Sequence, residues 1–445
     1  MTENPFQYNS PIGESGFFAG RQDAFAFVQA NLVGDHQTHA LVLLGAYKSG
    51  KTSVLRRLPE VLDDRYVAVR VSLRASTVSG EKAWLTALAG TLREALETVG
   101  IQSARLPELP GHPADLREYL EGEPFTDGLR ALRRDRHLLV LVDNAERLVT
   151  AVQGRALPRD TFKFLAGLLE KHRHFDLLLA VDSRYETDLL QLGAPFDPGL
   201  FFRLGNLSRQ EVGALLSGPL PTGLTIAPDA LAAIYDLTDG HPYLTQLMGW
   251  LLYERAAERD YAGALTVADV EAVTDNALAM GSEVLGAIWT RGTPQEKLVL
   301  TALTALSPEE PPQPVPFEDV GAWLIAADHE LDPRTVNATW RRLEYEGVLS
   351  LSADGKLTIN GGLQRRWLRN HVTLPSSWLA MSWRRVAVLA VAAILVITVI
   401  VAVLGSISGP RAVEQESPPE ATITLNLDLQ ATADSYSATQ TASAP

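Results

Sequence analysis

A chain of 445 residues, 46% hydrophobic and 21% charged, has room for two to four domains with large cores, which excludes a stapled miniprotein, a collagen-like chain and wholesale disorder. Zero cysteines exclude disulfides, thiolate metal sites, Fe–S clusters and cysteine nucleophiles. Thirty-nine Lys and Arg against 53 Asp and Glu leave a formal charge of −14, so coating a polyanion is not the role the composition favours.

The opening MTENPFQYNS lacks both the basic and the apolar segment of a secretory signal, so the chain is expected to start in the cytoplasm. The apolar run Ala40–Leu44 predicts a buried strand leading into Gly45-Ala46-Tyr47-Lys48-Ser49-Gly50-Lys51-Thr52, the full G-x-x-x-x-G-K-[ST] pattern. Its glycines let successive backbone N–H groups face a polyphosphate. The Lys51 ammonium reaches the β and γ phosphates, and the Thr52 hydroxyl holds Mg²⁺. A helix opening at Ser53 adds its N-terminal dipole. ATP or ADP with Mg²⁺ is therefore the expected cofactor.

Such a loop needs a second carboxylate strand, and Leu138–Asp143 is an apolar run ending in an acid. Asp143 is the second expected metal residue. The next position is Asn144, which can orient a water but cannot take its proton, and Glu146 is the nearby carboxylate able to act as base. Further strands are expected at Val67–Val71, Leu177–Val181 and Phe201–Leu204, with helices such as Glu81–Val99 and Thr161–His174 between them. This alternation predicts an α/β core, a parallel sheet covered on both faces, with ligand at the strand carboxyl ends. Arg184 stands at that edge as a candidate γ-phosphate sensor; a solvated surface arginine is the other reading.

Helices are expected at Ala230–Leu237, Tyr243–Ala257 and Val267–Ala279, with a break at Gly240-His241-Pro242. Thr293–Leu300 starts another helix with Pro at its first turn, Pro308–Pro316 reads as a loop, and Asp332–Leu343 reads as a capped helix. Val348–Ser352, an Asp354-Gly355 turn and Leu357–Ile359 form a hairpin. Helices followed by a hairpin predict a winged helix. From Thr293 to His371 there are 8 Lys and Arg against 11 Asp and Glu, a net of 8 − 11 = −3, which favours a protein partner over nucleic acid. Arg341 and Arg342 on the capped helix keep duplex DNA open as the alternative.

Val386–Leu404 is 19 residues with Thr398 as the one polar member, spanning ~28 Å as a helix, enough for a bilayer core. Trp378, Trp383, Arg384 and Arg385 precede it, and the following segment is acidic, so residues 1–385 are expected in the cytoplasm of a single-pass membrane protein. The Ser, Thr, Ala and Pro-rich end from Gly409 is expected to be a disordered exterior tail.

These residues resemble the STAND-type signalling ATPases of the AAA+ lineage, over roughly 4–290 and less specifically to about 371. The resemblance implies that Phe17-Phe18-Ala19-Gly20-Arg21 is the box beside the adenine, so that Gly20 and Arg21 join Gly45–Ser53 as nucleotide contacts. It implies that Pro242, in a Gly-x-Pro signature of a helical lid, lies near the base, and that Arg184 ends a sensor strand. Asn144 departs from the family, which usually has an acid there. The expected organisation is a P-loop ATPase core 1–205, a helical lid 206–290, a winged helix 291–373, a juxtamembrane linker 374–385, a transmembrane helix 386–407 and a tail 408–445. The expected function is a membrane-anchored nucleotide switch with slow hydrolysis that acts on a protein partner, open to nucleotide-dependent self-association. The alternative is a DNA-binding ATPase or membrane-bound transcriptional regulator.

Overall fold

In the computed structural model the described residues are 3–372, apart from 13–15, 33, 35, 102–105, 107, 133–135 and 330. Five parallel strands form the central sheet: β1 Leu41–Gly45, β2 Tyr66–Ser72, β3 His137–Asp143, β4 Phe175–Asp182 and β5 Phe201–Leu204. Their order is β2-β3-β4-β1-β5, so β4 separates the strand that ends in the P-loop from the strand that ends in Asp143.

β1, β3 and β4 are buried at every position, as continuous apolar runs require when helices cover both faces. Alternate side chains divide between two cores. Val42, Leu44, Leu138, Val140, Val142, Leu177 and Leu179 pack with Trp84, Leu88, Leu92, Leu120, Phe162 and Leu165 from helices Glu81–Thr98, Pro113–Glu121 and Thr161–Lys171. Leu41, Leu43, Leu139, Leu141, Leu178 and Ala180 pack on the other side with Val28, Val54, Leu55 and Leu58 from helices Gln22–Asn31 and Lys51–Val61. Each such leucine, fully buried, contributes about 1.5–3 kcal/mol, so both layers hold the sheet edge rigid behind the loop.

After the sheet come helices Arg209–Ser217, Pro228–Thr238, Pro242–Glu258, Val267–Met280 and Ser282–Arg291. Strands β6 Thr225–Ile226 and β7 Ala264–Leu265 pair in parallel beside them. Gly240 separates the second and third of these helices at φ 68°, and a Cβ there would stand 2.0 Å from the Leu207 carbonyl oxygen. That backbone approach, with Leu207 N–H donating to Gly240 O at 2.8 Å, joins the helices to the sheet domain.

The last described part has helices Pro294–Leu306, Phe317–Ala326 and Pro333–Tyr345, strands β8 Val315–Pro316, β9 Leu349–Leu351 and β10 Lys356–Ile359, and helix Gly362–His371. Capping boxes and Asx caps start the helices where expected: Thr293 with Glu296, and the Asp332 carboxylate accepting from Arg334 and Thr335 N–H. The Pro308–Pro316 segment, expected to be loop throughout, ends as the edge strand β8 on β10. An edge position tolerates Pro316, which has no N–H to give a ladder. No helix among the described residues is long and apolar enough to cross a membrane. The linker 374–385, the apolar stretch 386–407 and the tail 408–445 lie outside the described residues.

Candidate functional site

Three carboxyl ends of the sheet converge on one cavity of about 300 Å³. Its floor is Tyr47, Lys48, Ser49, Gly50, Lys51, Thr52 and Ser53; one wall is Asn144, Glu146, Arg147 and Asp182; the other is the strap Gln7–Ile12 with Pro242, Tyr243, Gln246 and Arg291. Gly50 makes the turn at φ 97°, a conformation that favours glycine, and helix Lys51–Val61 starts at once behind it. Lys51 Nζ donates to the carbonyls of Gly45 at 2.7 Å and Ala46 at 2.9 Å. Burial pulls its pKa down, while Asp182, Glu146 and Asp143 oppose that pull. Gly45 and Ala46 thus enter the site through their carbonyls rather than as cavity lining.

Thr52 Oγ1 donates to Asp143 Oδ1 at 3.1 Å, joining the P-loop helix to β3. Asp143 is buried, and it also accepts from the Asn144 N–H at 3.1 Å, with Arg70 Nη1 at 3.7 Å from its other oxygen. A hydroxyl and a carboxylate side by side are hard oxygen donors of the kind Mg²⁺ takes. The Ser49 hydroxyl, buried in the loop without a partner, is a further polar group that a phosphate oxygen would satisfy. The residues present therefore fit a Mg²⁺–polyphosphate. Asn144 stands at φ 58° and lines the cavity. Glu146 lines it as well, accepting from the Asp182 N–H at 3.2 Å, and burial pushes its carboxyl pKa up.

The strap is fixed at both ends. Asn4 Nδ2 donates to Trp250 O at 3.1 Å, Phe6 is buried against Gly249, and Gln7 N–H donates to Gln246 Oε1 at 3.3 Å. At the far end Ile12 N–H donates to Ser53 Oγ at 3.1 Å. Pro242, the first residue of its helix, lines the cavity on the same side as the strap.

Gly20 and Arg21 are not cavity lining. Arg21 is buried behind the loop, its guanidinium donating to Ser49 O at 2.7 Å and Gly205 O at 2.6 Å, and its backbone N–H to Glu211 Oε1 at 3.0 Å. It ties the P-loop to the segment just after β5, while its backbone is held by Glu211 of helix Arg209–Ser217. Arg184 also lies outside this cavity: its Nη2 is 3.5 Å from Glu346 Oε2, just past helix Pro333–Tyr345. Besides Lys51, Lys48 and Arg147, the cavity is lined by the cation of Arg291, the last residue of its helix, 3.2 Å from Asp182 Oδ2. Sequence reading missed it, as it missed Gln7, Tyr8 and Gln246 in the wall. The Gly-x-Pro histidine, His241, donates from Nε2 to Tyr47 O at 3.2 Å, and burial pushes its pKa down to about 4.

No protein-family model matches the chain, and no curated protein matches it. Among solved structures it is similar to a Walker-type ATPase of Pyrococcus abyssi, with a TM-score of 0.57 at 14% identity over 82% of this chain and 99% of that one. It is also similar to the ORC2 protein of Aeropyrum pernix, solved in ADPNP–ADP complexes, with a TM-score of 0.53 at 13% identity over 80% of this chain and 94% of that one. At such identity the likeness is one of fold: an α/β P-loop NTPase architecture with a five-stranded parallel sheet.

Proposed function

We propose that this chain is a membrane-anchored ATP-binding switch of STAND and AAA+ type, in which slow hydrolysis sets the arrangement of a core 1–205, a lid 206–290 and a winged helix 291–373. The observation that supports the nucleotide reading is the Thr52–Asp143 contact beside the cavity, a hydroxyl next to a carboxylate that together would hold P-loop Mg²⁺, the carboxylate through a water. Bound there, Mg²⁺ supplies positive charge to the β and γ phosphates. Lys51 binds phosphate oxygens with the ammonium that here donates to Gly45 and Ala46. The Asn144 amide orients a water and cannot deprotonate it. Of the two carboxylates that line the cavity, Asp182 is paired with Arg291, and Glu146, its basicity raised by burial, is the one able to take that proton.

Membrane anchoring rests on the sequence from Val386 to Leu404 and the arginines before it, with residues 1–385 on the cytoplasmic side. The winged-helix reading rests on three helices with the antiparallel order β8-β10-β9. A protein partner is favoured over DNA because four of the eight basic side chains of 293–371 already meet acids: Arg342 with Glu296, Lys356 with Asp354, and Arg365 and Arg369 with Glu310. The test is nucleotide identity and turnover in the purified full-length chain. Co-purified ADP or ATP with turnover well below one per second supports a switch; tens of turnovers per second refute it.

A further inference from the structure

The P-loop pattern leaves residues 46–49 unspecified, yet Tyr47 is held by three side chains from the helices that follow the sheet. Its hydroxyl donates to Glu283, its ring lies 4.0 Å beneath the Arg291 guanidinium, and its carbonyl oxygen accepts from His241. The neighbouring Lys48 reaches the same helix, 3.7 Å from Glu283, and lies 4.2 Å from the Tyr243 ring centre. Arg291 itself is 3.2 Å from Asp182. Tyr47, Asp182 and Arg291 line the nucleotide cavity on one side and a smaller cavity of about 120 Å³, with Arg184 and Glu346, on the other. The stacked pair is thus the partition between them.

We infer that Tyr47 is a positioning residue: by stacking under Arg291 it aims the guanidinium at the phosphate end of the nucleotide cavity, so the loop that binds phosphate also places the lid's cation. The inference rests on the nucleotide-binding reading of the same site. Stacking uses the face of the guanidinium and leaves its five in-plane N–H donors free. A carboxylate such as Asp182 takes those donors, and a phosphate would compete with it for them. The ring therefore holds Arg291 in place without occupying the groups a phosphate needs. Arg291 ends helix Ser282–Arg291, two residues before the Thr293 cap of helix Pro294–Leu306, so it stands at the start of the module that follows.

The experiment measures ATP·Mg²⁺ and ADP affinity of the full-length chain as wild type, Tyr47→Phe, Tyr47→Leu, Arg291→Ala, the Tyr47→Leu/Arg291→Ala pair, and Lys51→Ala. Tyr47→Phe keeps the π face and loses one exposed hydrogen bond, so affinity stays within about threefold of wild type. Tyr47→Leu keeps apolar bulk and loses the π face, so the ATP dissociation constant rises by about 2- to 30-fold. With Arg291 already removed, Tyr47→Leu has no further effect, because it acts through that side chain. Wild-type affinity in Tyr47→Leu, or losses that multiply in the double variant, overturns the positioning role while Lys51→Ala still abolishes binding. Unchanged binding in Lys51→Ala instead overturns the nucleotide reading itself. Tyr47→Phe, which retains the packing, guards against a folding artefact: if it weakens ATP as much as Tyr47→Leu, the ring face is not what matters.

Discussion

Replacing His241 by Gln removes a titrating group from the joint between lid and P-loop while keeping an Nε2 donor for the Tyr47 carbonyl. In the folded chain burial holds the imidazole pKa at about 4 against an ordinary value of 6.5, with the Arg21 and Lys48 cations reinforcing the effect. Its Nδ1 is buried without a hydrogen-bond partner, so a second ring proton would have nowhere to go. The unfolded chain therefore binds a proton near pH 6.5 that the folded chain refuses until about pH 4. Stability is complete above the unfolded pKa and is lost as pH falls through that window. The full difference is about 3 kcal/mol, and between pH 7.5 and 5.0 it is about 2 kcal/mol. Buried carboxyls with raised pKa, such as Glu146 and Asp176, act in the opposite direction, but they are common to both proteins and cancel in the comparison. Urea unfolding of wild type and His241→Gln at the two pH values is the assay. Wild type loses about 2 kcal/mol more than the variant on acidification; equal losses refute the buried, neutral imidazole.

The remaining predictions concern chemistry, backbone and topology. Asn144→Glu raises the hydrolysis rate, by up to about 10²–10⁴-fold if the missing base is the limiting feature, and Glu146→Gln lowers the residual rate; phosphate release at saturating ATP measures both, and no change in either variant removes these residues from the reaction. Gly240→Ala forces a Cβ to within 2.0 Å of Leu207 O at a φ of 68° and destabilises the chain by more than about 2 kcal/mol, seen as a lower urea midpoint. An impermeant label at Ser443→Cys reacts in intact cells if the arginines before the apolar stretch face the cytoplasm; labelling only after lysis reverses the orientation.

Strands β1, β3 and β4 were legible because burial on both faces demands unbroken apolar runs, and their expected ends fall within two residues of those observed. The Asp332 cap was legible because the side chain that starts a helix acts on its immediate neighbours, and the start at Thr293 was legible from Pro294 in the first turn. The site was legible only where its residues are contiguous. Thr52 and Asp143 come from a loop motif and a strand end, and the structure brings them together. Arg291 lies 240 positions after Lys51 at the end of an amphipathic helix, where one more surface arginine carries no local mark. The destination of Arg184 is likewise set by Glu346, 162 residues away, and the burial of Arg21 by the Ser49 and Gly205 carbonyls. Long-range polar partners are chosen by the tertiary fold, and no period or spacing encodes them.

Calorimetric titration of the full-length chain with ATP in Mg²⁺, wild type against Lys51→Ala, tests the central claim most directly. The account predicts saturable binding by wild type and none by the variant, whose loop has lost the ammonium that neutralises phosphate charge beside Asp143, Glu146 and Asp182. Equal binding by both proteins, or none by wild type freed of endogenous nucleotide, contradicts it.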